Sequence, residues 1–148
     1  MVTHSDWKKL TALKIEAVRR LMANGEWVLA AEYMGYALEC ALKATCCKTL
    51  RIPEYPPIKP NSNSEMGFFR KHDFDSLLIF SGMSDLLGSN SMTWGIFTPS
   101  YLDDWPQTIR YDVDADKKFT EVKVKELYDV LYDRSDSILK TIFGNNRW

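Results

Sequence analysis

Charged side chains recur inside a strongly apolar stretch of the chain, "AAEYMGYALECALKATCC" at residues 30–47. At about 100° per residue, a helix would place four of these polar residues in one narrow sector. They form a polar stripe of Glu32, Tyr36, Glu39 and Lys43. Glu39 and Lys43 have the favourable i, i+4 order, which contributes only about 0.2–0.5 kcal/mol on an exposed face. A solvated face is therefore expected, whereas burial by neighbouring helices would require that these charges be paired or used.

Two other short segments carry residue types that could work with this polar stripe. His72 and Asp73, in "RKHDF", begin a predicted helix, where they would either cap it or line a polar cleft. Arg110 and Tyr111, in "WPQTIRY", offer one guanidinium and one ring. Arg110 would either pair with a carboxylate of the second helix, which is the preferred interpretation, or bind a phosphate with two hydrogen bonds.

Several familiar sites are excluded by their missing motifs. The chain has no phosphate-binding loop of the G-x-x-x-x-G-K-[ST] type, no G-x-G-x-x-G and no G-x-S-x-G. The acidic run "DVDAD" fails as a calcium loop, because Lys117 and Lys123 occupy the positions that require Gly and Glu. Only two histidines are present, and the three cysteines lack zinc-ligand spacing. The sequence therefore predicts neither a cofactor nor a metal site.

Composition indicates one ordinary globular domain over residues 1–148. A net charge of -1 disfavours a protein that coats nucleic acid non-specifically, since such domains are usually basic. No apolar leader and no run of about 18 apolar residues is found, which predicts no membrane association. Reduced thiols at Cys40, Cys46 and Cys47 would fit a cytoplasmic location.

The elements that must position these residues are predicted to be helices. Apolar residues recur at steps of three and four from about residue 5 to 24, with Thr3 or Ser5 as N-cap, and Gly25 separates this helix from the next. No alternating run indicates a strand. Helices are expected near residues 5–24, 26–50, 68–82 and 119–143, with a short one after Thr98, and loops near 51–67, 84–97 and 109–118.

These lengths favour an all-α fold, an antiparallel up-and-down bundle of four to five helices. The residues also resemble the HEPN family, the higher-eukaryote and prokaryote nucleotide-binding domains. Three segments carry the resemblance: the helix "NGEWVLAAEYMGYALECALKA" with Glu39 and Lys43, the helix start "KHDFDSLL", and "IRY" before the last long helix. Together they span most of the chain from Ala12 to Ile142.

The resemblance implies a HEPN-like helical bundle that is often a homodimer. Members of the family include partners of nucleotidyltransferases, toxin–antitoxin and defence proteins, and metal-independent RNases. The RNases use an Arg followed four to six residues later by His, and no Arg of this chain has a His at that spacing. Two hypotheses follow, a non-catalytic binding module and an RNase with a rearranged site, and a purely structural dimer with the charged residues paired internally is a third alternative.

The first hypothesis is a module that binds a nucleotide, a nucleic-acid phosphate or a protein partner such as a nucleotidyltransferase or antitoxin. Lys43 and Arg110 would contact phosphate, Tyr111 would stack and Glu39 would hold Lys43; the whole proposed lining is Glu39, Lys43, His72, Asp73, Arg110 and Tyr111. In the alternative, His72 is the general acid or base, and Arg110 or Lys43 stabilises the phosphorane.

Overall fold

The computed structural model describes residues 2–56, 72–88, 91–101 and 105–148, and within these ranges the chain is mostly helical and contains no strand. The prediction of an all-α fold is confirmed. The α-helices are α1 His4–Ala23, α2 Trp27–Thr49, α3 Phe74–Ser81, α4 Met92–Phe97, α5 Gln107–Tyr111, α6 Ala115–Lys118, α7 Glu121–Tyr128 and α8 Ile138–Phe143. A 3-10 helix at Thr98–Tyr101 follows α4, and a π-helix at Asp129–Asp133 follows α7.

Helices α1 and α2 form an antiparallel hairpin. Thr3 caps α1 in a capping box, in which its side chain accepts from the Asp6 amide and the Asp6 carboxylate accepts from the Thr3 amide. After Asn24, Gly25 has φ of +73°, a left-handed conformation that reverses the chain at little steric cost. The connection between the two helices is therefore short, and α1 packs along α2.

Helix α2 is the centre of the molecule. Helices α1, α3, α5, α6, α7 and α8 all contact it, and most of its residues are buried. Met34, Leu38, Ala41 and Leu42 are fully buried, whereas Trp27 is half-buried at the start of the helix. Cys40, Cys46 and Cys47 are buried and carry no disulfide.

An aromatic cluster fills the space between α2 and the shorter elements. The ring of Tyr101 lies 4.7 Å from that of Phe97, 5.7 Å from that of Phe74 and 5.1 Å from that of Trp105. The Tyr101 hydroxyl donates to the carbonyl of Ala31 at 2.6 Å, which satisfies the buried phenol. This cluster ties α3, α4 and the segment before α5 to the middle of α2.

The prediction of one helix over residues 119–143 is wrong. The helix widens into the π-helix at Asp129–Asp133, Arg134 is extended with ψ of 151°, and α8 begins anew at Ile138. The Ser137 side chain accepts from the Lys140 amide at 3.3 Å and so caps α8. Apolar residues are nevertheless buried on both sides of the break, at Val124, Leu127, Leu131, Ile138 and Ile142.

Two segments expected to be irregular contain short helices. Residues 92–97 form α4, because Ser91 caps it and Trp94 and Phe97 enter the core. Residues 107–111 and 115–118 form α5 and α6, anchored by buried Ile109 and Ala115. Such elements are too short to show helical periodicity in a sequence.

The remaining predictions differ in their outcome. Thr98 does not cap a new helix, since its hydroxyl donates to the carbonyl of Trp94 at 2.9 Å and the 3-10 helix continues directly from α4. Residues 57–71, which include most of the predicted loop and the start of the predicted third helix, lie outside the described ranges.

Only α1 and α2 exceed eight residues among the described helices, so the regular up-and-down bundle stays a prediction. No helix in the described ranges has the length and apolar character needed to cross a membrane.

Candidate functional site

Glu39 and Lys43 form a buried ion pair on α2. The Lys43 Nζ donates to the Glu39 Oε1 at 2.6 Å, and the two residues are only 7% and 5% exposed. The expectation of a solvated face is therefore wrong for this part of the stripe. Neighbouring segments cover it, and helical spacing within α2 gives no information about what packs over a given face.

His72 reaches the same carboxylate from the start of α3. Its Nδ1 lies 2.6 Å from the Glu39 Oε1, and 52% of its side chain remains exposed. An ionised carboxylate only accepts hydrogen bonds, so Nδ1 carries the proton and donates to Glu39. The imidazole is thus held at one nitrogen by a buried anion while much of the ring faces solvent.

The Glu39 carboxylate is ionised despite its burial. Desolvation raises its pKa, but the hydrogen bond from His72 and the charge of Lys43 lower it by more, and the net pKa lies below the ordinary value of 4.5. Among the described residues, the second carboxylate oxygen, Oε2, is buried without a hydrogen-bond partner. The positive charge of Lys43 and the donor of His72 both converge on Oε1.

Trp7 of α1 covers this pair, a role that the sequence did not indicate. The Lys43 Nζ lies 4.9 Å from the centre of the Trp7 ring, and the Trp7 Nε1 donates to the carbonyl of Tyr55 at 3.1 Å. The apolar periodicity of α1 places Trp7 on the face that packs inward. Which residue of α2 it would meet depends on how the two helices cross.

Arg110 of α5 contacts the same stripe, closer to the start of α2. Its Nε is 3.5 Å from the Glu32 Oε1, and its guanidinium also donates to the Tyr36 hydroxyl. The Tyr36 hydroxyl in turn lies 3.4 Å from the Glu32 Oε1. The expected pairing of Arg110 with a carboxylate of the second helix is therefore observed, and 44% of the Arg110 side chain remains exposed.

Two residues that were not predicted for the site contact the Arg110 cluster, which consists of Arg110, Glu32 and Tyr36. The ring of Trp105 packs on that of Tyr36 at 5.1 Å and fills the space above Gly35, where a Cβ atom would lie only 2.3 Å from a ring carbon. Lys14 of α1 places its Nζ 4.8 Å from the Tyr33 ring and 5.7 Å from the Tyr36 ring. The Trp105 contact fixes the segment that carries Arg110 against α2.

The six residues predicted for the site divide into three groups. Glu39, Lys43 and His72 are in direct contact. Arg110 belongs to the adjacent cluster, whose residue Tyr36 precedes Glu39 by three positions and so by about 4.5 Å along the helix axis. Asp73 caps α3 by accepting from the Ser76 amide at 2.8 Å, and Tyr111 directly follows Arg110 and is 76% exposed.

The arrangement offers two kinds of chemistry. Arg110 and His72 come from different segments and are partly exposed donors held by neighbouring residues of α2, which suits an anion with several oxygens. The hydrogen bond from the imidazole to a buried carboxylate also fixes the tautomer and orientation of a group that could move a proton. Lys43 has a different role, because its charge is buried against Glu39 and is not presented to a ligand.

Comparisons with known proteins do not assign the chain to a family. No protein-family model, no curated protein and no solved structure matches it.

Proposed function

We propose that this chain is a HEPN-like binding module that holds a phosphate group of a nucleotide or nucleic acid between His72 and Arg110. One observation carries the proposal: Glu39 is buried and ionised and fixes a half-exposed imidazole, and Tyr36, about one turn earlier on α2, contacts a partly exposed guanidinium. Phosphate oxygens accept hydrogen bonds from both groups, and Arg retains further donors beyond those used by Glu32 and Tyr36.

In this proposal the site differs from the sequence hypothesis in two roles. Lys43 keeps Glu39 ionised and does not touch the ligand, because its side chain is buried. Tyr36, whose ring packs beside Arg110, replaces exposed Tyr111 as the aromatic surface next to the phosphate. The resemblance further suggests a homodimer in a prokaryotic toxin–antitoxin, defence or nucleotidyltransferase-associated system.

Calorimetric titration of the full chain with AMP, ATP and hexauridylate tests the proposal. Binding should weaken about tenfold or more in His72→Ala and in Arg110→Ala, and it should fall with increasing salt. Arg134→Ala is the matched control, since Arg134 is also a surface arginine paired with one carboxylate, Asp136, but lies outside the stripe. Absence of heat at millimolar ligand would remove the phosphate proposal and leave only a protein partner.

The Glu39–His72 hydrogen bond favours one alternative, a metal-independent RNase. A carboxylate that orients an imidazole is an arrangement used in general acid–base catalysis, and Arg110 would stabilise the charge of the phosphorane. RNA cleavage in the presence of a chelator should then be lost in His72→Ala and reduced in Glu39→Gln. Cleavage that survives His72→Ala would show that this assignment is wrong.

A further inference from the structure

A groove of about 360 Å³ lies between α1 and the end of the chain. Ala12 and Ile15 of α1 contribute to its apolar floor together with Phe143. Lys8 and Arg19 stand towards its two ends, beside Trp148 and Tyr132 respectively. The groove thus combines an apolar middle with one cation at each end, and it uses no residue of the site proposed above.

The cations of this groove lie against aromatic rings, and none is in an ion pair with a carboxylate of the described residues. The Lys8 Nζ lies 4.9 Å from the Trp148 ring, and the Arg19 guanidinium lies 4.8 Å from the Tyr132 ring and donates to the Tyr128 hydroxyl at 3.1 Å. Within the described residues, no carboxylate is within 4.0 Å of either cation. The next arginine along α1, Arg20, is paired with Glu16.

This charge pattern is local, because the chain as a whole carries a net charge of -1. A third cation reinforces it: the Lys140 Nζ lies 5.5 Å from the Tyr132 ring and donates to the carbonyl of Asp133. Tyr132 itself belongs to the π-helix, a rare element that is frequent at functional sites. Unpaired cations around an apolar floor are complementary to a ligand that is apolar in the middle and acidic at its ends.

The aromatic rings of the groove are already engaged, which disfavours stacked nucleobases. Trp148 is contacted by Lys8 and, at 4.6 Å between ring centres, by Phe143. Tyr132 is contacted by Arg19, by Lys140 and by the ring of Tyr128 at 5.9 Å. A single-stranded nucleic acid needs open ring faces for its bases, whereas carboxylates need only the cations.

We propose that this groove binds an extended acidic segment of a partner protein. Lys8 and Arg19 are eleven positions apart on α1, which corresponds to about 16 Å along the axis. In an extended peptide, side chains four positions apart lie on the same side and about 13 Å from each other, and the long Lys and Arg side chains span the remainder. The expected pattern is acidic–x–apolar–x–acidic, with the central apolar residue on Ile15 and Phe143.

Nuclear magnetic resonance titration of the ¹⁵N-labelled full chain tests this inference with the peptide acetyl-Ser-Glu-Thr-Leu-Thr-Glu-Ser-amide. We expect the indole signal of Trp148 and the amide signals of α1 around Ile15 to shift and to saturate. The same peptide with both Glu replaced by Gln should bind about tenfold more weakly or not at all. Hexauridylate should leave these signals unchanged.

Charge reversal provides the matched controls. In the double variant Lys8→Glu and Arg19→Glu the peptide should bind at least about tenfold more weakly, and a peptide with Lys in place of both Glu should bind in its stead. Lys9→Glu with Arg20→Glu makes the same change of charge one position along α1, on exposed side chains, and should leave binding within about twofold.

Any of three results would overturn the inference: no shift at 5 mM peptide, equal binding of the Glu and Gln peptides, or saturable shifts of Trp148 by hexauridylate without competition from the peptide. None of these results bears on His72 and Arg110. The inference can therefore fail while the phosphate proposal stands, and the reverse also holds.

Discussion

The buried Glu39–Lys43 pair should make a larger contribution to folding than an equivalent pair at the surface. Removing Lys43 leaves the Glu39 carboxylate buried with His72 as its remaining donor. We expect Lys43→Met to lower the free energy of unfolding by about 3 kcal/mol, and the double variant Glu39→Met with Lys43→Met to lie within about 1 kcal/mol of the wild type. Urea denaturation followed by circular dichroism measures both.

The matched control for this prediction is Lys125→Met. Lys125 pairs with Glu121 at the same i, i+4 spacing and at 2.7 Å, but both side chains are more than half exposed. The expected change in unfolding free energy is below about 0.5 kcal/mol. Equal losses in Lys43→Met and Lys125→Met would contradict the importance assigned to burial.

Glu39 should also make folding sensitive to acid. Its pKa is lower in the folded state than the ordinary 4.5, so its ionisation stabilises the fold above about pH 4.5. That contribution is lost as the pH falls from 4.5 through the folded-state pKa. The unfolding free energies of wild type and Glu39→Gln, measured from pH 7 to pH 3, should therefore converge as the pH falls below 4.5. A difference that is constant across this range would show that Glu39 does not titrate with folding.

At the scale of the secondary-structure elements, the contact between Gly35 and Trp105 holds the segment before α5 against α2. A Cβ atom at Gly35 would lie 2.3 Å from the Trp105 ring. We expect Gly35→Ala to cost about 1–3 kcal/mol through overpacking and to weaken any ligand binding that depends on Arg110. Thermal unfolding and tryptophan fluorescence would report the two effects.

Gly95 supplies the control for this substitution. It also lies inside a helix, α4, but nothing is within 4 Å of the position that its Cβ would occupy. Because Ala favours helix over Gly by up to about 1 kcal/mol, Gly95→Ala should leave stability unchanged or raise it. A loss of stability in Gly95→Ala similar to that in Gly35→Ala would indicate a general helix effect and not a clash with Trp105.

The long helices could be predicted from the sequence, and the short ones could not. Helices α1 and α2 have several turns of apolar periodicity and a capping signal at Thr3, so their ends were predicted to within one residue. Helices α4, α5 and α6 have four to six residues each, and they exist because Trp94, Ile109 and Ala115 enter the core. Tertiary contacts of this kind leave no local pattern.

The sequence indicated which residues belong to the candidate site better than it indicated how they are arranged. The angular position of Glu39 and Lys43 on one stripe follows from helix geometry alone, but their burial depends on Trp7 and His72, which come from other segments. Ser137, which caps α8, is a residue type that indicates a helix start, so the break in the last helix had a sequence signal. The apolar periodicity continues across the break, however, and it favoured the prediction of one helix.

On the scale of the whole molecule, the exposed apolar surface is consistent with self-association. Ile79 and Met92 are 68% and 56% exposed, and they belong to the two helices, α3 and α4, that border a shallow apolar groove lined in part by Leu78, Leu87 and Trp94. If the homodimer proposed above forms, light scattering at micromolar concentration should give about twice the chain mass of 17.1 kDa. We expect Ile79→Glu to shift the mass towards the monomer.

Val122→Glu serves as the comparison for this variant, since Val122 is also strongly exposed but lies on α7. A wild-type mass near 17.1 kDa would contradict the dimer. A dimer that both substitutions leave intact would place its interface elsewhere on the surface.

The reactivity of the three buried thiols on α2 should report how often the folded molecule opens. Burial raises the pKa of Cys40 and Cys47 to about 11 and that of Cys46 further still, so at neutral pH almost no thiolate is present in the native state. All three lie on the central helix, where a reagent can reach them only when neighbouring helices separate. The rate at which a disulfide reagent modifies the unaltered protein should therefore follow global opening, and ligands of the native state should slow it.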